Sequence, residues 1–269
     1  MTKSLDEILS SVANVCDRET KQSKGFGIEF GTYSAHKLKA TNVKCMVVSP
    51  LMNLKLVHFM NENKANVAVN LLPLSILENE FPLSEVDFEL LRTLIINNIK
   101  TIRIPLEWLY SIKGSFPYFL QTLGFNTIEN SSYTTKSDKK QIIWNLSEMN
   151  FQDFLSSLGH LNKKWIAHAF GQAEDKLSFM QENEKLSISD IRDLKESGVN
   201  TIVSFSLDSS SIPVYQRNRM NFLFIPFVDY CNIALRKFAQ ILQLETNEKV
   251  LFHPFETKEW MGYQDLHER

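Results

Sequence analysis

The chain has 269 residues, of which 43% are hydrophobic, with 19 Phe but only 9 Gly. That is enough apolar content for one large domain or two medium ones, and too little glycine for a fold built on glycine loops. The 29 basic and 31 acidic residues are interspersed and sum to a formal charge of -2, which excludes a chain-wide field that would draw nucleic acid or an anionic membrane. The longest apolar runs, 67–77 and 222–228, are broken by Asn or Pro and fall short of the roughly 20 residues that a membrane-spanning helix needs. Lys3, Asp6 and Glu7 open the chain on an amphipathic pattern with no signal-peptide features, so a cytoplasmic protein is expected. Cys16, Cys45 and Cys231 are widely spaced and include no CxxC pair, which reads as buried thiols.

In chain order, Ser4 and Glu7 have capping-box spacing ahead of Leu5, Ile8, Leu9, Val12 and Cys16, which predicts an amphipathic helix. Residues 25–31 read as a short strand between glycines. Two β-branched runs, 43–49 and 66–72, each end at a Pro and flank a helix over 51–61, predicting a βαβ unit. Ser84 is positioned to cap a helix with Phe88, Leu91, Leu94 and Ile95 on its inner face, and 99–104 forms a third strand closed by Pro105. A helix over 116–123 stops at Gly124. The polar stretch 129–140 reads as a linker that separates a first lobe, 1–128, from a second, 141–269, with a return of 229–269 to the first as the alternative. Beyond it, strands at 142–146 and 164–170 surround a helix begun by Asn150, and a helix over 189–197 ends at Gly198. Strands at 199–205 and 222–227 follow, then a long helix opened by Asp229 with Ile233, Phe238, Ile241 and Leu242 inward, and an edge strand at 250–253. Alternating strands and helices on this scale predict an α/β protein of two lobes with helix-covered mixed sheets.

Chemistry-bearing motifs are few. No phosphate-binding glycine loop, dinucleotide fingerprint or nucleophile elbow is present, and Ser209–Ser211 reads as a solvated turn. The histidines, His36, His58, His160, His168, His253 and His267, never fall at metal-ligand spacing on one element. The tail residues His253, Glu256, Asp265, His267 and Glu268 form the best residual cluster, although chain ends are commonly solvated. Cations lie beside aromatics at Lys163–Trp165 and at Arg217 and Arg219 near Tyr215, a pattern that stacks on bases in some proteins but in a chain this neutral reads as solvated rims.

Several segments together carry a resemblance. They are the first helix ending near Cys16, Gly27-Ile28-Glu29-Phe30-Gly31, the strand from Val43 to Val48, the strand-Pro segment from Asn66 to Ile76, and Asn97-Asn98-Ile99 with its strand to Ile104. Gly114, Leu123-Gly124-Phe125, the run from Gly198 to Ser204 and the run from Ile225 to Tyr230 continue it. Their order resembles the NGG-interacting factor three-like family, the type-two GTP cyclohydrolase-like proteins, whose Gly-Leu-Gln-Val-Gly segment is similar to residues 27–31 and whose His-Tyr pair shares its Tyr with Tyr230.

The resemblance implies two α/β lobes holding two divalent metals through an adjacent His pair before a Pro, a His and an Asp after the third strand, and a late His and Glu. The matching positions here are Leu71 and Leu72 before Pro73, then Pro105 and Leu109, then Asp229 and a residue near Asn232 or Ile233. Of these named ligand positions only Asp229 keeps a carboxylate, so the expectation is a degenerate metal site, no bound cofactor, and a non-catalytic scaffold or a ligand- or protein-binding pseudoenzyme. Self-association into a dimer or a hexamer is implied by the same resemblance. The alternative is a metal-dependent hydrolase of a nucleotide or related phosphate ester with a displaced site at Asp229, His253 and Glu256.

Overall fold

The computed structural model describes residues 2–16, 25–32, 34–74, 85–125, 129–135, 140–146, 149–159, 161, 165–172, 176–181, 186–205 and 210–256. Two compact units emerge, Met1–Tyr118 with Cys231–Arg269, and Phe119–Tyr230. The first helix, α1 (Leu5–Val15), starts at the expected capping box: the Ser4 side chain accepts from the Glu7 amide, and the Glu7 carboxylate accepts from the Ser4 amide at 2.7 Å.

The first unit is built on a sheet of five strands: β1 (Gly27–Phe30), β2 (Met46–Ser49), β3 (Val67–Asn70), β4 (Lys100–Arg103) and β11 (Val250–Phe252), in the order β1-β4-β3-β2-β11. β2, β3 and their runs of apolar residues are buried on both faces, as a parallel sheet covered by helices requires. β4 and β11 extend the parallel set, β11 at one edge as expected, and β1 runs antiparallel at the other. Helix α2 (Ala35–Ala40) precedes β2, and α3 (Leu54–Glu62) makes the β2-α3-β3 crossover, its N-cap Asn53 accepting from the Leu56 amide at 2.8 Å. Val47 and Ala68 pack on Leu56 and Met60 of α3 and on Leu90 and Leu94 of α4 (Glu85–Ile96).

The inner face of α4 keeps the expected Leu94 but not Phe88 or Ile95. Leu90 and Leu94 are buried, whereas Phe88 and Ile95 are 61% and 66% exposed. The helix carries two apolar stripes, and only the sheet decides which turns inward. The predicted Ser84 cap lies outside the described residues. A 3-10 turn at Leu106–Tyr110 and α5 (Ser115–Thr122) follow β4.

The second unit carries six strands: β5 (Glu129–Thr134), β6 (Lys140–Leu146), β7 (Ile166–His168), β8 (Leu177–Gln181), β9 (Thr201–Ser204) and β10 (Asn221–Phe224), in the order β5-β6-β8-β9-β10-β7. β8, β9 and β10 are parallel, and the remaining pairs are antiparallel. Helices α6 (Phe151–Gly159), α7 (Ile188–Glu196) and α8 (Ile212–Arg217) belong to this unit, and Ile191 and Leu194 of α7 join a core with Ile202, Met220 and Phe222. α7 stops as expected, because Gly198 takes φ +93, a conformation that side-chain-bearing residues rarely adopt.

One expectation is corrected here, and two elements are unanticipated. Residues 129–134, read as part of a linker, form the edge strand β5, paired along its length to β6. β8, unanticipated, sits in the middle of the sheet, and α8 follows directly on the serine run. Helix α9 (Phe227–Thr246) buries Cys231, Ala234, Leu235, Phe238, Ala239 and Leu242, a stripe at helical spacing that keeps the predicted Phe238 and Leu242. Among the described residues no helix is long and apolar enough to cross a membrane.

Candidate functional site at the strand ends of the first sheet

In open α/β sheets, ligands are taken at the carboxyl ends of the parallel strands. In the first unit those ends are the Ser49-Pro50, Asn70-Leu71-Leu72-Pro73 and Arg103-Ile104-Pro105 segments, which strand pairing places side by side: Ser49 opposite Asn70, and Asn70 opposite Arg103. Beyond the strands the register continues, since the Ile104 amide donates to Asn70 O at 2.8 Å and the Leu72 amide to Pro50 O at 2.9 Å.

This register brings Leu71, Leu72 and Pro105 to neighbouring strand exits. Leu71 is fully buried and Leu72 partly so. Pro105 caps the 3-10 turn, whose Leu109 is buried and accepts at its carbonyl from Ser115 Oγ at 3.0 Å. Leu and Pro side chains have no lone pair to offer a cation, so these four positions do not fit a divalent metal. Asp229 sits in the first turn of α9, assigned to the second unit, and is largely buried with interactions of its own. Asn232, one turn on, is occupied structurally: its Nδ2 donates to Phe255 O at 2.7 Å, and its Oδ1 accepts from the Phe255 amide at 2.9 Å.

The residues of the displaced-site alternative are individually engaged or solvated. His253 follows β11 and packs its ring 4.8 Å from that of Phe59, while Glu256 is exposed. Among the described residues no three of His, Cys, Asp and Glu are grouped so as to hold a metal ion. Asp265, His267 and Glu268 lie outside the described residues, as do His160, Lys163, Lys164 and Ser209. Tyr215, whose neighbours Arg217 and Arg219 read as a solvated rim, is itself buried and stacked on Phe222 at 5.1 Å.

A polar row that the sequence reading missed lies on the same strand ends. Because side chains alternate along a strand, Ser49, Asn70 and Arg103 share one face, with Thr101 behind Arg103. Glu29 joins them from a bulge in β1, where the register shifts between Ile28 and Phe30. Its carboxylate accepts from the Leu74 amide at 2.9 Å. Burial pushes the Glu29 carboxyl above its ordinary value, only partly offset by that hydrogen bond and by the Arg103 charge.

The row is under-satisfied. Asn70 is 0% exposed, and among the described residues neither its Nδ2 nor its Oδ1 has a hydrogen-bond partner. Thr101 Oγ1 and Arg103 Nε are likewise buried without one. Buried polar atoms are almost always paired, so several unspent ones on one strand-end row set it apart from ordinary packing. The available signal was a polar residue closing each apolar run, MVVS and VAVN, but the row exists only once the register is known.

No family model matches the chain, and no curated protein matches it in sequence. Solved structures do match in shape. A Bacillus cereus protein related to NIF3 superposes with a TM-score of 0.70 at 11% identity, covering 96% of this chain and 98% of that one. Reduced HcgD from Methanocaldococcus jannaschii gives 0.72 at 13% identity, over 95% and 99%. A NIF3 superfamily protein from Sphaerobacter thermophilus gives 0.55 at 10% identity, over 94% and 99%. NIF3 abbreviates NGG-interacting factor three, the group to which the sequence segments pointed, and identities this low speak to the fold alone: the chain has the two-lobed α/β fold of the NIF3-related proteins over nearly its whole length.

Proposed function

We propose that the chain is a member of the NIF3-related family that works without the family's dinuclear metal centre, as a non-catalytic scaffold or binding protein for a ligand or protein partner. One observation carries this reading: the positions at which the resemblance puts the family's first ligands are Leu71, Leu72, Pro105 and Leu109, which give a cation nothing to bind. Asp229 by itself cannot replace a ligand set for two ions. The same strand exits keep hydrogen-bonding capacity in Asn70, Thr101 and Arg103, which favours recognition through neutral and cationic groups.

Self-association into a dimer or larger ring belongs to the same proposal, and light scattering on a sizing column that finds only a monomer removes that part of it. The metal part is tested by thermal melts with added zinc or manganese. A specific site raises stability by about 2.7 kcal/mol at one hundred times its Kd. No rise in midpoint is expected here, and a saturable rise sinks the proposal in favour of the hydrolase reading.

A further inference from the structure

At the opposite end of β4, away from Arg103 and Pro105, the first unit holds a pocket of about 420 Å³ between the end of β1, α2, the end of α4 and the start of β4. We propose that it is a binding site for a small organic anion of the phosphate-ester class, with the phosphate between Lys37 and Lys100 and an apolar body against Phe30 and Ile95. It lies apart from the strand exits discussed above and stands or falls separately from that reading.

The lining is one-sided in charge. Among the described lining residues Lys37 and Lys100 are the only ionisable ones, and none is a carboxylate. Lys100 Nζ donates to two oxygens of Asn98, the carbonyl at 3.3 Å and the side-chain Oδ1, and both are neutral. Asn98 presents them from a left-handed conformation, φ +53. Burial draws the Lys100 ammonium below its ordinary value, and among the described residues no anion offsets the loss. Lys37, exposed on α2, has no ion-pair partner among the described residues.

A lysine beside a helix end is often just a complement to the helix dipole. Here the last α4 carbonyls are already taken, Thr93 O by the Asn97 amide, Ile95 O by the Asn98 amide and Leu94 O by the Ile99 amide. The pocket also depends on Gly31, because a Cβ there would come within 2.5 Å of Lys100 Cδ, so any side chain would displace the lysine stem. The apolar side of the pocket includes Ile95, an aliphatic residue 66% exposed, whose covering by a ligand body removes apolar surface from water. Two ammonium groups beside such a wall suit a dianionic head on a small hydrophobic body better than a free inorganic ion.

The test is a titration with phenyl phosphate, inorganic phosphate and benzyl alcohol, followed by amide chemical shifts in the full chain. Phenyl phosphate is expected to bind with a Kd on the order of 1 mM or tighter, and more tightly than either of the others. The shifts should centre on Phe30 to Thr32 and Asn98 to Lys100. Lys37→Gln and Lys100→Gln should each weaken binding about tenfold, as loss of a charged contact does, Lys100→Arg should largely restore it, and Lys39→Gln, outside the pocket, should leave it unchanged. If Lys100→Gln fails to fold by circular dichroism, Lys37→Gln decides. Absence of binding, shifts centred elsewhere, or equal affinity in the lysine variants overturns the proposal.

Discussion

Both sheets bury asparagine side chains, and they use them in opposite ways. In the second sheet, Asn200 and Asn221 sit where β9 and β10 begin, and every polar atom is engaged. Asn200 Oδ1 accepts from the Ser178 amide at 3.1 Å and from Thr201 Oγ1 at 2.9 Å, while its Nδ2 donates to Lys176 O. Asn221 Oδ1 accepts from the Gly171 amide at 2.8 Å, and its Nδ2 donates to Thr201 Oγ1 at 3.4 Å. In the first sheet, Asn70 sits where β3 ends, fully buried, with both side-chain atoms unspent among the described residues. The first arrangement is what a structural network looks like, since a satisfied buried amide fixes register and adds stability. The second costs stability at the end of the sheet where α/β proteins take ligands, and the proposed recognition role rests on that combination.

The contrast can be broken in several ways. The largest effect is expected at the apolar filling beside the polar row: Leu71→Ala should lower unfolding stability by about 2 to 5 kcal/mol, as large-to-small core changes do, measured by urea midpoint. A near-zero loss would mean that Leu71 is not packed and that the strand exits are open. Next, Asn200→Ala should cost roughly 3 kcal/mol, because it strands the Ser178 amide and the Lys176 carbonyl together. Asn70→Leu should move the other way, gaining about 1 to 2 kcal/mol by removing two unpaired polar atoms at similar volume. Equal losses at Asn200 and Asn70 would erase the distinction between the sheets.

The smallest effect concerns pH. The Glu29 carboxyl titrates above its ordinary value in the folded chain. Between the unfolded and the folded value the native state therefore holds a proton that the unfolded chain has released, so stability falls as pH rises through that window and is greater below it. Glu29→Gln should flatten that part of the stability profile, and an unchanged slope would show that another group is responsible.

The parallel core of the first unit was readable from sequence because its strands are continuous apolar runs closed by Pro, a pattern with few other uses. β5 was not, since ENSSYT is exposed on both faces and becomes a strand only through pairing with β6. β8 was missed for a related reason: LSFMQ has weak strand propensity, and its position is set by Trp144 and Thr201 on either side of Phe179. On α4, Phe88, Leu91 and Ile95 make as good a helical stripe as Leu90 and Leu94, and no local rule chooses between them. The candidate site divides in the same way. The positions Leu71, Leu72, Pro105 and Leu109 are those that the family resemblance implies, aligned through the order of strand-Pro segments. Glu29, Asn70 and Arg103 are separated by about forty and about thirty residues and meet only through register.

The central claim is that the strand exits have exchanged metal ligands for apolar filling and a polar recognition row. Elemental analysis of protein purified without chelator tests it most directly. Only trace, substoichiometric zinc, iron or manganese is predicted, whereas one or two equivalents per chain would contradict the account.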